Sequence, residues 1–280
     1  MKLITWNIQW ALGLDGRMDP ARVVEHARGM ADFDVLCLQE VSDNFPELSG
    51  NDGRDQFAAF AELLPGYTPI AGPALDIMGD GSRRKRFGNM ILSRYPVAQV
   101  LRYTLPWEGD ATRNMPRMLI ETVLMTPLGP VRVMTTHLEY SSPKLRRSQV
   151  EAIREIHRSA CERETCQREN GPGTYIRMPG SRAAILTGDF NMKPEDPSRL
   201  RISEAFSPDV PALVDAWSAA CPTEAHPPSF CLYDRSYGEP HCCDFIFVTE
   251  DLLPRVQRMV YDTETKISDH QPVLLELRED

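Results

Sequence analysis

Carboxylates, amides and histidines stand at the polar ends of apolar runs along this chain. Asn7 closes Leu3-Ile4-Thr5-Trp6, and Glu40 closes Val35-Leu36-Cys37-Leu38-Gln39. His137 closes Val131 to Thr136, and Asp189 with Asn191 follows Ile185-Leu186-Thr187-Gly188. Asp244 opens Phe245-Ile246-Phe247-Val248, and Asp269-His270 stands beside a last apolar run. Oxygen ligands without a thiolate select a hard cation such as Mg²⁺ or Mn²⁺. An imidazole beside a carboxylate can be held in one tautomer and kept protonated, which suits it to proton transfer. The chemistry open to this set is therefore cation-assisted, with a proton moved by histidine or carboxylate.

Taken singly, each residue has an ordinary explanation. Glu40 reads as a solvated strand end, Asp189 as an Asx-type turn and His137 as a satisfied histidine near a sheet edge. Coincidence at several strand ends is more informative, because strands supply rigidity while their loops supply chemistry.

The elements that must position these groups alternate between strand and helix. Leu3 to Ile8 predicts a strand. Asp19 is placed as N-cap and Pro20 at the first position of a helix through Met30. Asp34 to Glu40 predicts a buried strand whose polar end emerges at Gln39-Glu40. A helix over about Asp55 to Leu64 and a strand over Asn89 to Ser93 follow. Leu119 to Met125 and Val131 to Thr136 flank Thr126-Pro127-Leu128-Gly129-Pro130 as a hairpin. Ser142-Pro143 opens the longest helix, with Leu145, Val150, Ile153 and Ile156 on its inward face. Residues 161–182 and 221–240 predict irregular connections, with a strand from Ala183 to Leu186 after the first. No repeat or interdomain linker is found, so residues 1–280 are read as one domain. Hairpins among the alternating elements favour mixed sheets.

Hydrophobic residues make up 42% and charged residues 25%, enough apolar material for a large core. The net charge of −9 excludes a global positive field that would draw the chain onto a polyanion. Any such partner must be gripped locally, and the basic run Arg83-Arg84-Lys85-Arg86 either serves this or is a solvated loop. The opening residues predict neither a secretory signal nor a transit peptide, and no run approaches membrane-spanning length, so a cytoplasmic protein without a transmembrane segment is expected. Seven irregularly spaced cysteines predict neither a disulfide framework nor a zinc site. No specific protein partner is inferred.

Thr5-Trp6-Asn7, Leu38-Gln39-Glu40, Gly88-Asn89-Met90-Ile91-Leu92-Ser93, Thr136-His137-Leu138-Glu139, Gly188-Asp189-Phe190-Asn191 and Ser268-Asp269-His270, in this order, resemble the endonuclease/exonuclease/phosphatase superfamily. The resemblance spans residues 3–277. It implies an α/β fold (α+β by some schemes), a four-layer sandwich of two mixed β-sheets packed face to face with helices outside. It implies metal-dependent hydrolysis of phosphate esters at one edge of that sandwich. Mg²⁺ or Mn²⁺ would be the cofactor, with Glu40 the first choice of ligand and Asn7 and Asp269 completing or bordering the site. His270 would face the phosphoryl oxygen, its tautomer fixed by Asp244. Asp189 would orient or deprotonate the attacking water, and Asn191 would hold a non-bridging oxygen. His137 matches a second histidine that contacts the phosphate. Asn89 would support the site by hydrogen bonds, and Arg117 either reaches the phosphate as a fork donor or lies on the surface.

Among esters, a nuclease or nuclease-like phosphodiesterase acting on DNA or RNA is the preferred expectation. The alternatives are a phospholipid hydrolase, an inositol-phosphate hydrolase and a non-catalytic scaffold. His241-Cys242-Cys243-Asp244-Phe245 keeps only Cys-Asp of the Trp-Cys-Asp-Arg motif of the inositol phosphatases, and no apolar hairpin stands out for docking on lipid. A scaffold would be marked by a lost ligand, and every position above is intact. Trp6, Trp10 and Trp107 could stack on bases, but alternation with Asn7 points Trp6 into the core, so stacking supports no substrate.

Overall fold

Side-chain alternation along the first two strands divides the core in two. The computed structural model describes residues 1–166 and 169–279. In β1 (Lys2–Asn7) and β2 (Val35–Asp43), Ile4, Trp6, Leu36 and Leu38 share a cluster with two helices. Those helices are α1 (Pro20–Met30), through Val23, Val24 and Ala27, and α2 (Gln56–Leu63), through Phe57 and Phe60. Leu3, Val35 and Cys37, one residue out of phase, join the larger cluster shared with a second sheet. Asp19 caps α1 through the Ala21 N–H, with Pro20 in the first turn, as the sequence predicts.

The first sheet also contains β3 (Thr68–Met78), β4 (Arg84–Ser93), β11 (Val256–Tyr261) and β12 (Val273–Leu277), in the order β11-β12-β1-β2-β4-β3. The second contains β5 (Val97–Thr104), β6 (Met118–Thr126), β7 (Gly129–His137), β8 (Ala184–Asp189), β9 (Leu213–Asp215) and β10 (Asp244–Thr249), in the order β5-β6-β7-β8-β10-β9. β1 runs parallel to β2 and β7 parallel to β8, while the remaining pairs are antiparallel, so both sheets are mixed. α3 (Pro143–Thr165) packs on the second sheet through Val150 and Ile153, and Arg132 of β7 meets His157 of α3 at 2.7 Å. This is the expected sandwich of two mixed sheets with helices outside. No helix among the described residues is long and apolar enough to cross a membrane.

The structure departs from the sequence reading at several points. β2 does not end at Glu40: its register against β4 shifts between Leu38 and Val41, and Glu40 sits in that bulge at φ +62°. Gln39 is not an emerging end either, since its buried amide donates to Thr5 Oγ1 at 3.1 Å and to Thr135 Oγ1 at 2.9 Å, tying the two sheets together. α3 continues through Thr165, so the predicted connection from 161 begins later; Gln167 and Arg168 within it lie outside the described residues. β3 and β5, which have no counterpart in the sequence reading, are edge strands, and Pro69, Gly72 and Pro73 interrupt the first.

Candidate active site

Strand ends from both sheets converge on one cavity. Asn7 ends β1, His137 ends β7 and Asp189 ends β8, where parallel register sets His137 beside Asp189. Asp244 begins β10 directly opposite Asp189 in antiparallel register. Gly188 permits the close approach of β8 to β7: its φ is +143°, and a Cβ there would lie 1.9 Å from the Thr136 carbonyl oxygen.

Asp189 is the hub. Its Oδ2 accepts from Asn7 Nδ2 at 3.0 Å and lies 3.3 Å from His137 Nε2 and 3.7 Å from His270 Nε2. Its Oδ1 accepts from the Asn191 N–H at 2.9 Å. Burial alone would raise this carboxyl, but the charge of His270 and the hydrogen bonds from Asn191 and Asn7 hold it below the ordinary range. Asn191, at φ +51°, also donates its side-chain amide to the Leu138 carbonyl at 2.9 Å.

His270 is oriented from behind. Its Nδ1 lies 2.9 Å from Asp244 Oδ2, which also accepts from Ser229 Oγ at 2.7 Å. Phe230 stacks on the imidazole with centroids 4.4 Å apart at 27°. Burial opposes the charged form, yet Asp244 and Asp189 outweigh it and raise His270 well above the usual range. His137 goes the other way, pushed down to about 3 by burial and then by Arg117. One histidine is thus held protonated and the other neutral.

Glu40 and Asp269 form the acidic corner. Burial, then Asp269, pushes Glu40 up to about 7, and burial raises Asp269 as well. Asn7 Nδ2 donates to Glu40 Oε1 at 3.2 Å, while its Oδ1 accepts from the Gln9 N–H at 3.1 Å. Two partly buried carboxyls, both raised and set beside oxygen donors only, fit a hard divalent cation. Asp189, Cys243 and His270 also approach closely enough to share an ion. There, however, burial keeps the Cys243 thiol protonated and Asp244 occupies His270 Nδ1, so the Glu40 corner fits better.

Arg117 is buried and lines the cavity, with its Nε 3.5 Å from Glu139 Oε2. Asn89 does not line it; its side chain donates to the Met118 carbonyl at 3.2 Å. The cavity, about 310 Å³, is also bordered by Gln9, Trp10, Arg113, Tyr140, Phe230 and Tyr237. Sequence reasoning missed Ser229 and Phe230 because they lie in the irregular stretch 221–240, where periodicity carries no signal. The isolated bridges of Phe230 with His241 and His270, together with the Ser229 hydroxyl on Asp244, fix that stretch to the site.

The basic run is not a free patch. Arg83 pairs with Asp43 at 3.0 Å, Arg84 with Asp76 at 2.5 Å, Lys85 with Glu47, and Arg86 with Asp43 at 2.7 Å and Asp55 at 2.9 Å.

Solved structures share the fold across nearly the whole chain. An endonuclease/exonuclease/phosphatase from Beutenbergia cavernae is 24% identical with a TM-score of 0.66, covering 99% of this chain and 71% of that one. The Bacteroides thetaiotaomicron mannosyl-6-phosphatase Bt3783 is 19% identical with a TM-score of 0.67 and covers 99% of both chains. D. rerio TDP2 complexed with single strand DNA product is 16% identical with a TM-score of 0.63, covering 98% of this chain and 97% of that one. A comparison with curated proteins gave no match. The model of the Endonuclease/Exonuclease/phosphatase family matches residues 4–270, and the chain belongs to that family of phosphoesterases.

Proposed function

We propose that the chain is a Mg²⁺- or Mn²⁺-dependent phosphodiesterase that acts on a single-stranded nucleic acid end or a nucleotide-sized ester. The observation that carries this reading is the division of roles around Asp189: a protonated His270 on one side and the Glu40–Asp269 carboxyl pair on the other. Glu40 and Asp269 would hold the cation, with Asn7 bordering it as a donor that fixes Glu40. Bound there, a divalent cation would neutralise charge on the ester and stabilise the departing oxygen.

The chain's own groups supply the rest. His270 Nε2 carries a proton toward a phosphoryl oxygen, kept there by Asp244 at Nδ1. Asp189, held ionised and already accepting from Asn7 and Asn191 with His137 beside it, orients a water rather than serving as a strong base. Neutral His137 and the Arg117 guanidinium border the remaining oxygens, and the Asn191 side chain is anchored on Leu138 beside them.

Neutralisation of Arg83 to Arg86 favours a small or single-stranded substrate over a duplex backbone, which would need free cations along its length. A phosphatase is the second reading, suggested by the Bacteroides mannosyl-6-phosphatase that shares the fold. The test is hydrolysis of bis(4-nitrophenyl) phosphate by chelated protein with metals added back. Activity should vanish with chelator and return with Mg²⁺ or Mn²⁺; no turnover with any divalent ion removes the reading. Faster release from 4-nitrophenyl phosphate than from the diester would favour the phosphatase.

A further inference from the structure

The wall of the cavity that the chemistry leaves unused is largely aromatic. Beyond the Phe230–His270 stack, Tyr237 lies 5.9 Å from Phe230, and Tyr140 meets Tyr237 edge-on at 6.4 Å. Rings therefore run without a break from the catalytic imidazole to solvent. Tyr140 and Tyr237 are 50% and 59% exposed, large apolar surfaces beside a cavity that a ligand can cover.

Trp10 reaches the same cavity from the turn after β1. Gln9, Trp10 and Ala11 all hold left-handed backbone, at φ 45°, 45° and 58°. Such a run of non-glycine residues is strained, persists only where its surroundings fix it, and collects at ligand sites. Here Gln56 Nε2 donates to the Trp10 carbonyl at 2.6 Å, and Trp10 Nε1 donates to the Ser49 carbonyl at 2.9 Å. The indole N–H is thereby consumed, and what the residue offers the cavity is ring.

The rest of the wall argues against a polyol. A site for a sugar needs donors and acceptors matched to its hydroxyls. Outside the catalytic groups, this lining offers Gln9, Arg113 and the two tyrosine hydroxyls. Arg113 has no hydrogen-bond or ion-pair partner among the described residues, and it suits an anionic oxygen rather than a hydroxyl array.

We propose that Trp10, Tyr140 and Tyr237 form a stacking subsite for a planar ring carried by the phosphoester, an aryl group or a nucleobase. These three then set substrate choice. The inference rests on the phosphoesterase reading of the same cavity.

Calorimetric titration of the full chain in Mg²⁺ tests it with matched monoesters: phenyl against methyl phosphate, and thymidine 5′-monophosphate against deoxyribose 5-phosphate, with mannose 6-phosphate as the hexose. The ring-bearing member of each pair should bind roughly tenfold tighter, as base–aromatic stacking gives. Tyr237→Leu, on an exposed loop, should bring both ratios toward one while methyl phosphate affinity stays within about twofold, and Trp10→Phe should keep the ratios that Trp10→Leu loses. Equal affinities within a pair, tightest binding of mannose 6-phosphate, no binding of any probe, or equal weakening of all ligands in the variants would overturn the subsite. Ring preference without hydrolysis of any diester would remove the phosphodiesterase reading and leave the subsite; hydrolysis without ring preference would do the reverse.

Discussion

His270 is where the charges of this site converge, and its proton depends on Asp244. Because Asp244 raises the histidine, the protonated form persists to higher pH than an isolated imidazole would allow. Replacing Asp244 by Asn removes the charge but keeps the shape. The alkaline limb of the kcat/KM profile should then move to lower pH and the maximal rate should fall by about 10²-fold, as for loss of a positioned acid. An unmoved limb in a folded variant, checked by circular dichroism, would show that the pair is structural. At this scale the sequence was informative about residue type and poor about orientation. Asn7, Glu40, Asp189, Asp244 and Asp269-His270 announce themselves at the ends of apolar runs. Nothing in Ser229-Phe230 announces that one bonds Asp244 while the other stacks on His270, because neither sits in a periodic segment.

The elements place these residues by exceptions to regular geometry. Glu40 reaches the acidic corner from a bulge, and Asp189 follows a glycine that no other residue can replace without separating β7 from β8. Gly188→Ala should therefore destabilise the fold by about 3 kcal/mol or more, since the clash is with backbone rather than a flexible side chain. Urea unfolding measures that, and the folded variant should also turn over slowly, because small displacements of the carboxylate proposed to orient water are costly. An unchanged midpoint would mean that the strands have slack at this point. Helix starts and the hairpin follow from capping and turn chemistry in the sequence. The bulge does not, because a one-residue register shift leaves no compositional trace.

The whole molecule carries a net charge of −9, and its one basic run is spent on Asp43, Glu47, Asp55 and Asp76. Cleavage of a single-stranded oligonucleotide should accordingly change by less than about twofold in the Arg84→Ala, Lys85→Ala double variant, with a log-rate against log-salt slope of roughly one or less. A tenfold loss with a steep slope would restore that run as a grip on phosphate. The division of the site between sheets has a different consequence. Asn7 and Glu40 belong to the first sheet and His137, Asp189 and Asp244 to the second, bridged in the core by Gln39. Neither sheet holds a working set alone, so turnover is a caliper on the spacing between them: interior substitutions that shift the layers by a fraction of an ångström would register in the rate long before they register in a melting curve.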